Sequence, residues 1–323
     1  MLPSLFPAAA RPGRAERHAG RAALATLIAA TSLTAVACDE GGGPRQEDPN
    51  AFAWNGTVAA PGVVRIRNTI GPITVSPSAD GQVHVRAAVS WSKGDPKKDI
   101  RYDVVPEANA VTVCAIWGSG NCSATGYNSG KKNDGISINL NNHTNARVSF
   151  AVEVPAGLRV DAWTLTGDVT VRAAAPVVAR AIDGDIKVGT SVGPVTGETL
   201  NGDVDIRMTT IGDTGAVRAE SKNGDAVAYV PEIRDGVIAA STLNGKIGSD
   251  FGDFGTTRDG INKRFDWTLG AGTRRYEVSS LNGSAYLRLI NPDGTVGPAP
   301  AGQAASGADR PSSGTKAARK QPR

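Results

Sequence analysis

The chain has 323 residues, of which 40% are hydrophobic and 20% charged, yet only 5% are aromatic while 39 are glycine. Its net charge of +4 belongs to the ends: residues 1–37 contribute +3 and residues 309–323 contribute +4, which leaves −3 for residues 38–308. A nucleic-acid binder carries its basic footprint on the folded surface, with aromatic rings to stack on bases, so no nucleic-acid partner is expected.

In chain order, Arg11, Arg14, Arg17 and Arg21 precede an uncharged run from Ala22 to Ala37 that ends in Ala35-Val36-Ala37-Cys38. This is the pattern of a secretory signal peptide over residues 1–37. Its ending resembles a bacterial lipobox, with Cys38 as the lipidated residue that anchors the mature chain to a membrane, although Leu33 lies two places too early for that motif. Plain cleavage and an uncleaved anchor are the alternatives, but the run is shorter than the roughly 20 apolar residues of a spanning helix. Residues 38–50, rich in Gly, Pro and acidic side chains, have nothing to bury and read as a flexible tether.

From Val63 to Val160 the signal is two-residue alternation, as in Val83, Val85, Ala87, Val89 and Trp91, with His84, Arg86 and Ser90 between them. Val111-Val113-Ala115-Trp117, Ile136-Ile138-Leu140 and Val148-Phe150-Val152-Val154 repeat the pattern, which predicts successive strands with one face on a core. Helical spacing with a start signal is not found. Cys114 and Cys122 bracket Trp117-Gly-Ser-Gly-Asn121, and in an exported chain they predict a disulfide, with a metal site as the rival. The polar stretch from Gly118 to Gly135 reads as a surface loop.

A five-residue phrase then recurs: Leu165-Thr-Gly-Asp-Val169, Ile182-Asp-Gly-Asp-Ile186, Leu200-Asn-Gly-Asp-Val204, Lys222-Asn-Gly-Asp-Ala226, Leu243-Asn-Gly-Lys-Ile247 and Leu281-Asn-Gly-Ser-Ala285. The glycines are separated by 17, 18, 22, 21 and 38 residues, the last interval spanning an insertion from Asp250 to Gly272. Such a period marks stacked units that cannot bury an apolar face alone. Asn-Gly and Asp-Gly suggest hairpin turns. The flanks argue otherwise, because Leu200, Val204 and Ile206 share a face only if the chain continues with period two through Gly202. The expected fold is therefore all-β: a right-handed, mostly parallel β-solenoid with coils of about 17–22 residues over residues 51–290, the phrase forming one wall, and with an irregular β cap at the N-terminal end. Tyr286-Leu-Arg-Leu289 would close the other end. Thr69-Ile-Gly-Pro-Ile73 is a weaker early copy, and Arg264 to Leu269 a candidate irregular coil. Residues 291–323, rich in Pro, Ala, Gly and Ser and ending in Lys316, Arg319, Lys320 and Arg323, read as a disordered basic tail.

With the leader, the segment Val152-Glu-Val-Pro-Ala-Gly157 followed by Leu158-Arg-Val160, and the serial Asn-Gly-Asp-Val phrases, the chain resembles the putative adhesin family of bacterial cell-envelope proteins. The resemblance covers roughly residues 51–290 and implies an exported β-solenoid; it brings no catalytic residues. Lys222, Lys246 and Ser284 depart from the repeated phrase.

Asp168, Asp185, Asp203 and Asp225 each follow their glycine, so coils in register would stack them into a column about 5 Å apart. Oxygen ligands in that arrangement suit calcium; the simpler reading is turn residues in water. Gly189-Thr-Ser-Val-Gly193 matches the nucleophile-elbow pattern, but no histidine follows His143 and no helix follows Gly193. His84 and His143 read as surface residues. No catalytic residue, no cofactor and no metal are expected. The functional expectation is a non-enzymatic envelope lipoprotein, facing the periplasm or the cell surface, whose outward Asn/Asp wall or Cys114–Cys122 loop binds an envelope glycan or protein. The alternatives are a polysaccharide-cleaving β-helix using Asp183, Asp185, Asp203 and Asp205, and an envelope-stress sensor.

Overall fold

The computed structural model describes residues 44–123, 126–128, 145–173, 175–190, 193–212, 215–252 and 255–297. The chain divides into Met1–Gly41 and Gly42–Arg323, and all described residues fall in the second unit. Cys38, the leader, His143, the strand expected at Ile136 to Leu140 and the basic end of the tail lie outside the described residues.

The elements are almost all strands. In chain order they are β1 (Gln46–Gly56), β2 (Val63–Ile70), β3 (Ile73–Pro77) and β4 (Val83–Trp91), then a single helical turn, α1 (Pro96–Asp99), started by the Asp95 cap and Pro96. There follow β5 (Ile100–Glu107), β6 (Ala110–Trp117), β7 (Asn121–Ser123), β8 (Gly126–Asn128), β9 (Arg147–Val154) and β10 (Arg159–Thr166). The repeat region supplies β11 (Val169–Ala173), β12 (Val177–Asp183), β13 (Ile186–Thr190), β14 (Val195–Asn201), β15 (Val204–Met208), β16 (Val217–Asn223) and β17 (Ala226–Val230). Last come β18 (Gly236–Asn244), β19 (Ile247–Ser249), β20 (Thr257–Asp259), β21 (Asn262–Leu269), β22 (Arg275–Asn282) and β23 (Ala285–Leu289).

Two large sheets, mostly parallel and not closed into a barrel, hold all of these strands except β7 and β8, which pair with each other. Sheet I runs β20-β21-β18-β22-β16-β14-β12-β10-β2-β6-β5, and sheet II runs β1-β4-β9-β3-β11-β13-β15-β17-β23-β19. From β10 to β19, and again at β22 and β23, the chain alternates between them: an even-numbered strand in sheet I, a glycine, then an odd-numbered strand in sheet II. Inward residues of both sheets, such as Val177, Ala179, Val217 and Val278 from sheet I and Ile186, Ile206, Ala228 and Leu287 from sheet II, form one core cluster. Each fully buried Val, Ile or Leu stabilises by about 1.5–3 kcal/mol, so the stack of rungs rests mainly on aliphatic side chains, with Tyr276 and Phe150 the largest fully buried residues.

The phrase is a corner between the two sheets, and this corrects the expectation of a continuous wall. Val204 and Ile206 are buried, whereas Leu200 on the far side of the glycine is 42% exposed. Gly202, at φ 138°, turns the chain out of sheet I, and the inward residue before the turn is Thr199. Period-two counting through a glycine assumes a straight strand, and a bend resets the phase.

Rung order is also not sequence order. β22 pairs with both β16 and β18, and β23 with both β17 and β19, so residues 275–289 insert as the penultimate rung and β18/β19 form the last. The end expected from Tyr286 to Leu289 is instead covered by the antiparallel β20–β21 hairpin on β18, which also replaces the irregular coil expected at Arg264 to Leu269. At the N-terminal end β2 and β3 are a true rung around Gly71, and antiparallel β4, β1 and β5 follow, with β1 and β5 as the edge strands of the two sheets. β1 begins at Gln46, inside the expected tether, because backbone pairing with β4 needs no apolar side chains. Residues 291–297, expected in the tail, fold back through an Ile290–Val296 bridge.

Candidate functional site

At the corners the six phrases stack into four parallel ladders. The glycines come first: a Cβ at Gly202 would lie 2.3 Å from the Gly184 carbonyl oxygen, one at Gly224 2.1 Å from that of Gly202, and one at Gly283 2.0 Å from that of Gly224. No other residue fits between rungs at that separation. The carboxylates follow. Asp168 Oδ1 accepts the backbone N–H of Asp185 at 2.9 Å, Asp185 that of Asp203 at 2.9 Å, Asp203 that of Asp225 at 2.7 Å, and Asp225 that of Ser284 at 2.7 Å. Each residue of this candidate calcium column therefore caps an amide of the next rung. Among the described residues no group of three His, Cys, Asp or Glu side chains gathers as a metal site.

The third ladder is made by asparagines: Asn223 donates to Asn201, Asn282 to Asn223 and Asn244 to Asn282, each at 2.8 Å, while Asn201 donates to Asp183. The fourth lies inside and escaped the sequence reading. Thr199, Ser221, Ser280 and Thr242 donate their hydroxyls to the carbonyls of Gly184, Gly202, Gly224 and Gly283, at 2.9, 2.7, 2.8 and 2.6 Å. Thr164 and Asn68 do the same work toward Gly71. The signal was present in the sequence: a small polar residue stands three places before the glycine in every phrase but that of Gly184, where it is Ala181. A buried carbonyl without a partner costs about 1–3 kcal/mol, so these hydroxyls belong to the scaffold.

The two outer faces differ. On sheet I, Arg180 pairs with Glu198 at 2.8 Å; Arg218 reaches Glu198 at 3.1 Å and Glu277 at 3.3 Å and also meets Glu220, which holds Lys222; Arg275 pairs with Glu277 at 3.1 Å. Every cation of that network has a carboxylate. Lys222, the departure from the apolar position, is thus absorbed into a charge mesh, beside a half-exposed apolar row that includes Leu200 and Leu281.

On sheet II, Arg172, Gly189 and Arg207 are register partners on three successive rungs, and Thr170, Lys187 and Asp205 form the adjacent row. They line a groove of about 400 Å³. Arg207 is held by Asp205 at 3.1 Å and lies over the Tyr229 ring, 4.5 Å from its centroid. The hydrogen bond to Asp205 raises the guanidinium pKa above its ordinary value, so this cation stays charged.

Solved structures that the chain is similar to include a putative cell adhesion protein from Clostridium sporogenes, with a TM-score of 0.40 and 13% identity over 76% of this chain and 100% of that one. A putative adhesin from Bacteroides fragilis gives a TM-score of 0.36 and 12% identity over 74% of this chain and 98% of that one. No family model matches the sequence, and no curated protein matches it.

The remaining expected residues are dispersed. Cys114 and Cys122 are joined by a disulfide, from buried β6 to β7. His84 sits on β4 with Nδ1 2.7 Å from Asn55 and Nε2 2.9 Å from Asp80. Ser191 of the elbow-like motif lies outside the described residues. Of the four carboxylates of the cleavage alternative, Asp185 and Asp203 cap amides, Asp183 accepts from Asn201 and Asp205 pairs with Arg207 on another face. At the N-terminal edge a cavity of about 250 Å³ is bordered by Trp91, Ile100 and Tyr102. Burial pushes the Tyr102 phenol well above its ordinary range.

Proposed function

We propose that the chain is a non-enzymatic binding module of the bacterial envelope, built as a right-handed β-solenoid, exported, and tethered through a lipid at Cys38. One observation carries this reading: the polar side chains are arrayed along corners and flat outer faces, while the carboxylates that a glycan-cleaving enzyme would gather in one groove are each engaged elsewhere. General acid–base cleavage needs two carboxyls facing one scissile bond, and these four do not converge. The Cys114–Cys122 disulfide supports an oxidising compartment outside the cytoplasm. Parallel faces of regular spacing suit a polymer or a partner that is itself repetitive.

The test is a glycan array run with the full chain, alongside a reducing-end assay on the polysaccharides that bind. Retention without new reducing ends is the expected outcome. Cleavage that disappears in Asp185→Ala or Asp203→Ala would establish the enzyme instead.

A further inference from the structure

Gly189 has no structural need to be glycine. Its backbone holds ordinary strand geometry, and a Cβ there would meet only the Cγ of Arg172, at 4.0 Å. The consequence of its missing side chain is a notch in the outer face of sheet II. Its neighbours in register are Arg172 on one side and Arg207 on the other, about 10 Å apart across two parallel strand spacings. Lys187, two residues before Gly189, stands alongside. Among the described residues neither Arg172 nor Lys187 has a carboxylate partner, in contrast to the cations of the sheet I network. The groove thus holds three cations against the one carboxylate of Asp205, on a body whose net charge is −3 over residues 38–308.

We infer that this notch is the subsite for the carboxylate of an acidic polysaccharide. Arginine forks match a carboxylate with two parallel hydrogen bonds. Arg207 is already aimed by Asp205 and the Tyr229 ring, so little of its freedom is lost on binding. Asp205 and the Thr170 hydroxyl offer partners for sugar hydroxyls, which a bare phosphate or a lipid headgroup patch would not use, and Asp205 would repel a second negative charge. The groove spans three rungs on the outer face of sheet II, where a polymer chain can reach it.

The inference rests on the binding-module reading and is tested with polygalacturonate, its methyl ester and phosphatidylglycerol vesicles against the full chain. Polygalacturonate should bind and the neutral ester should not. Gly189→Val, which fills the notch without changing charge, and Arg172→Ala should each weaken binding by about tenfold or more. Arg180→Ala, on the opposite face, should leave it unchanged. Equal loss in all three variants, vesicle binding that exceeds polygalacturonate binding, or indifference to Gly189→Val would each overturn the subsite. If neutral glycans from the array bind and polygalacturonate does not, the subsite is wrong and the binding-module reading survives; cleavage would sink both.

Discussion

Gly202 and Gly189 are both glycines of the repeat region, thirteen residues apart in sequence, yet they stand for opposite kinds of constraint. Gly202 sits at a corner where φ is 138° and the Gly184 carbonyl oxygen is 2.3 Å from where a Cβ would be. Around it every polar group is engaged: Asp203 caps the Asp225 amide, Ser221 satisfies the Gly202 carbonyl, and Asn201 links to Asn223. Gly189 lies in mid-strand, where a Cβ would meet only the Cγ of Arg172 at 4.0 Å, and beside it stand Arg172 and Lys187, neither of which has a carboxylate partner among the described residues. The repeated phrase, which draws the eye in the sequence, is the scaffold. The exception to the pattern is where a ligand has room.

That contrast can be broken most readily by substitution at the two glycines. Gly202→Ala should lower stability by about 3 kcal/mol or more, since a backbone oxygen cannot move aside and the conformation is strained for any side chain. Gly189→Val should change it by about 0.5 kcal/mol or less, and equal melting shifts in the two variants would erase the distinction. Next in size, Ser221→Ala should destabilise by about 1–3 kcal/mol, because the Gly202 carbonyl is left buried without its partner; a chemical-denaturation midpoint that does not move would show the inner hydroxyl ladder to be incidental.

The smallest effect lies outside both regions. The His84 side chain, with help from the Gln82 amide and the Ser78 hydroxyl, draws the Asp80 carboxylate down to about 2. A depressed carboxylate contributes stability above its ordinary pKa and loses it as pH falls through the folded value. Its contribution at the β1–β4 edge should therefore fade between the ordinary carboxylate range and about pH 2. His84→Ala should bring the Asp80 titration, followed by NMR, back toward the ordinary range. An unchanged titration would show that the histidine is not the cause.

Much of this architecture was legible because period-two alternation and a recurring Asn-Gly-Asp phrase are local signals. Val169, Ile186, Val204 and Ala226 face the core as the alternation implies, and they align in register from rung to rung. Three things were not legible. Leu200 and Leu281 look like core residues but lie outside it, because hydrophobicity does not report a bend and Thr199 and Ser280, the true inward residues, are polar. The insertion of β22 and β23 before the last rung is a matter of which strand edge is free when the chain returns, and no residue within β22 encodes that order. The groove was hidden for a similar reason: Arg172, Gly189 and Arg207 are 17 and 18 residues apart, and only the register brings them side by side.

The most direct test of the division between scaffold and binding face is the polygalacturonate binding isotherm of the Asp185→Ala/Asp203→Ala double variant, measured below its melting temperature. Losing two amide caps should lower stability by about 1–3 kcal/mol while the dissociation constant stays within about twofold of the unaltered chain. Binding abolished with stability intact would contradict the account and return the function to the corner carboxylates.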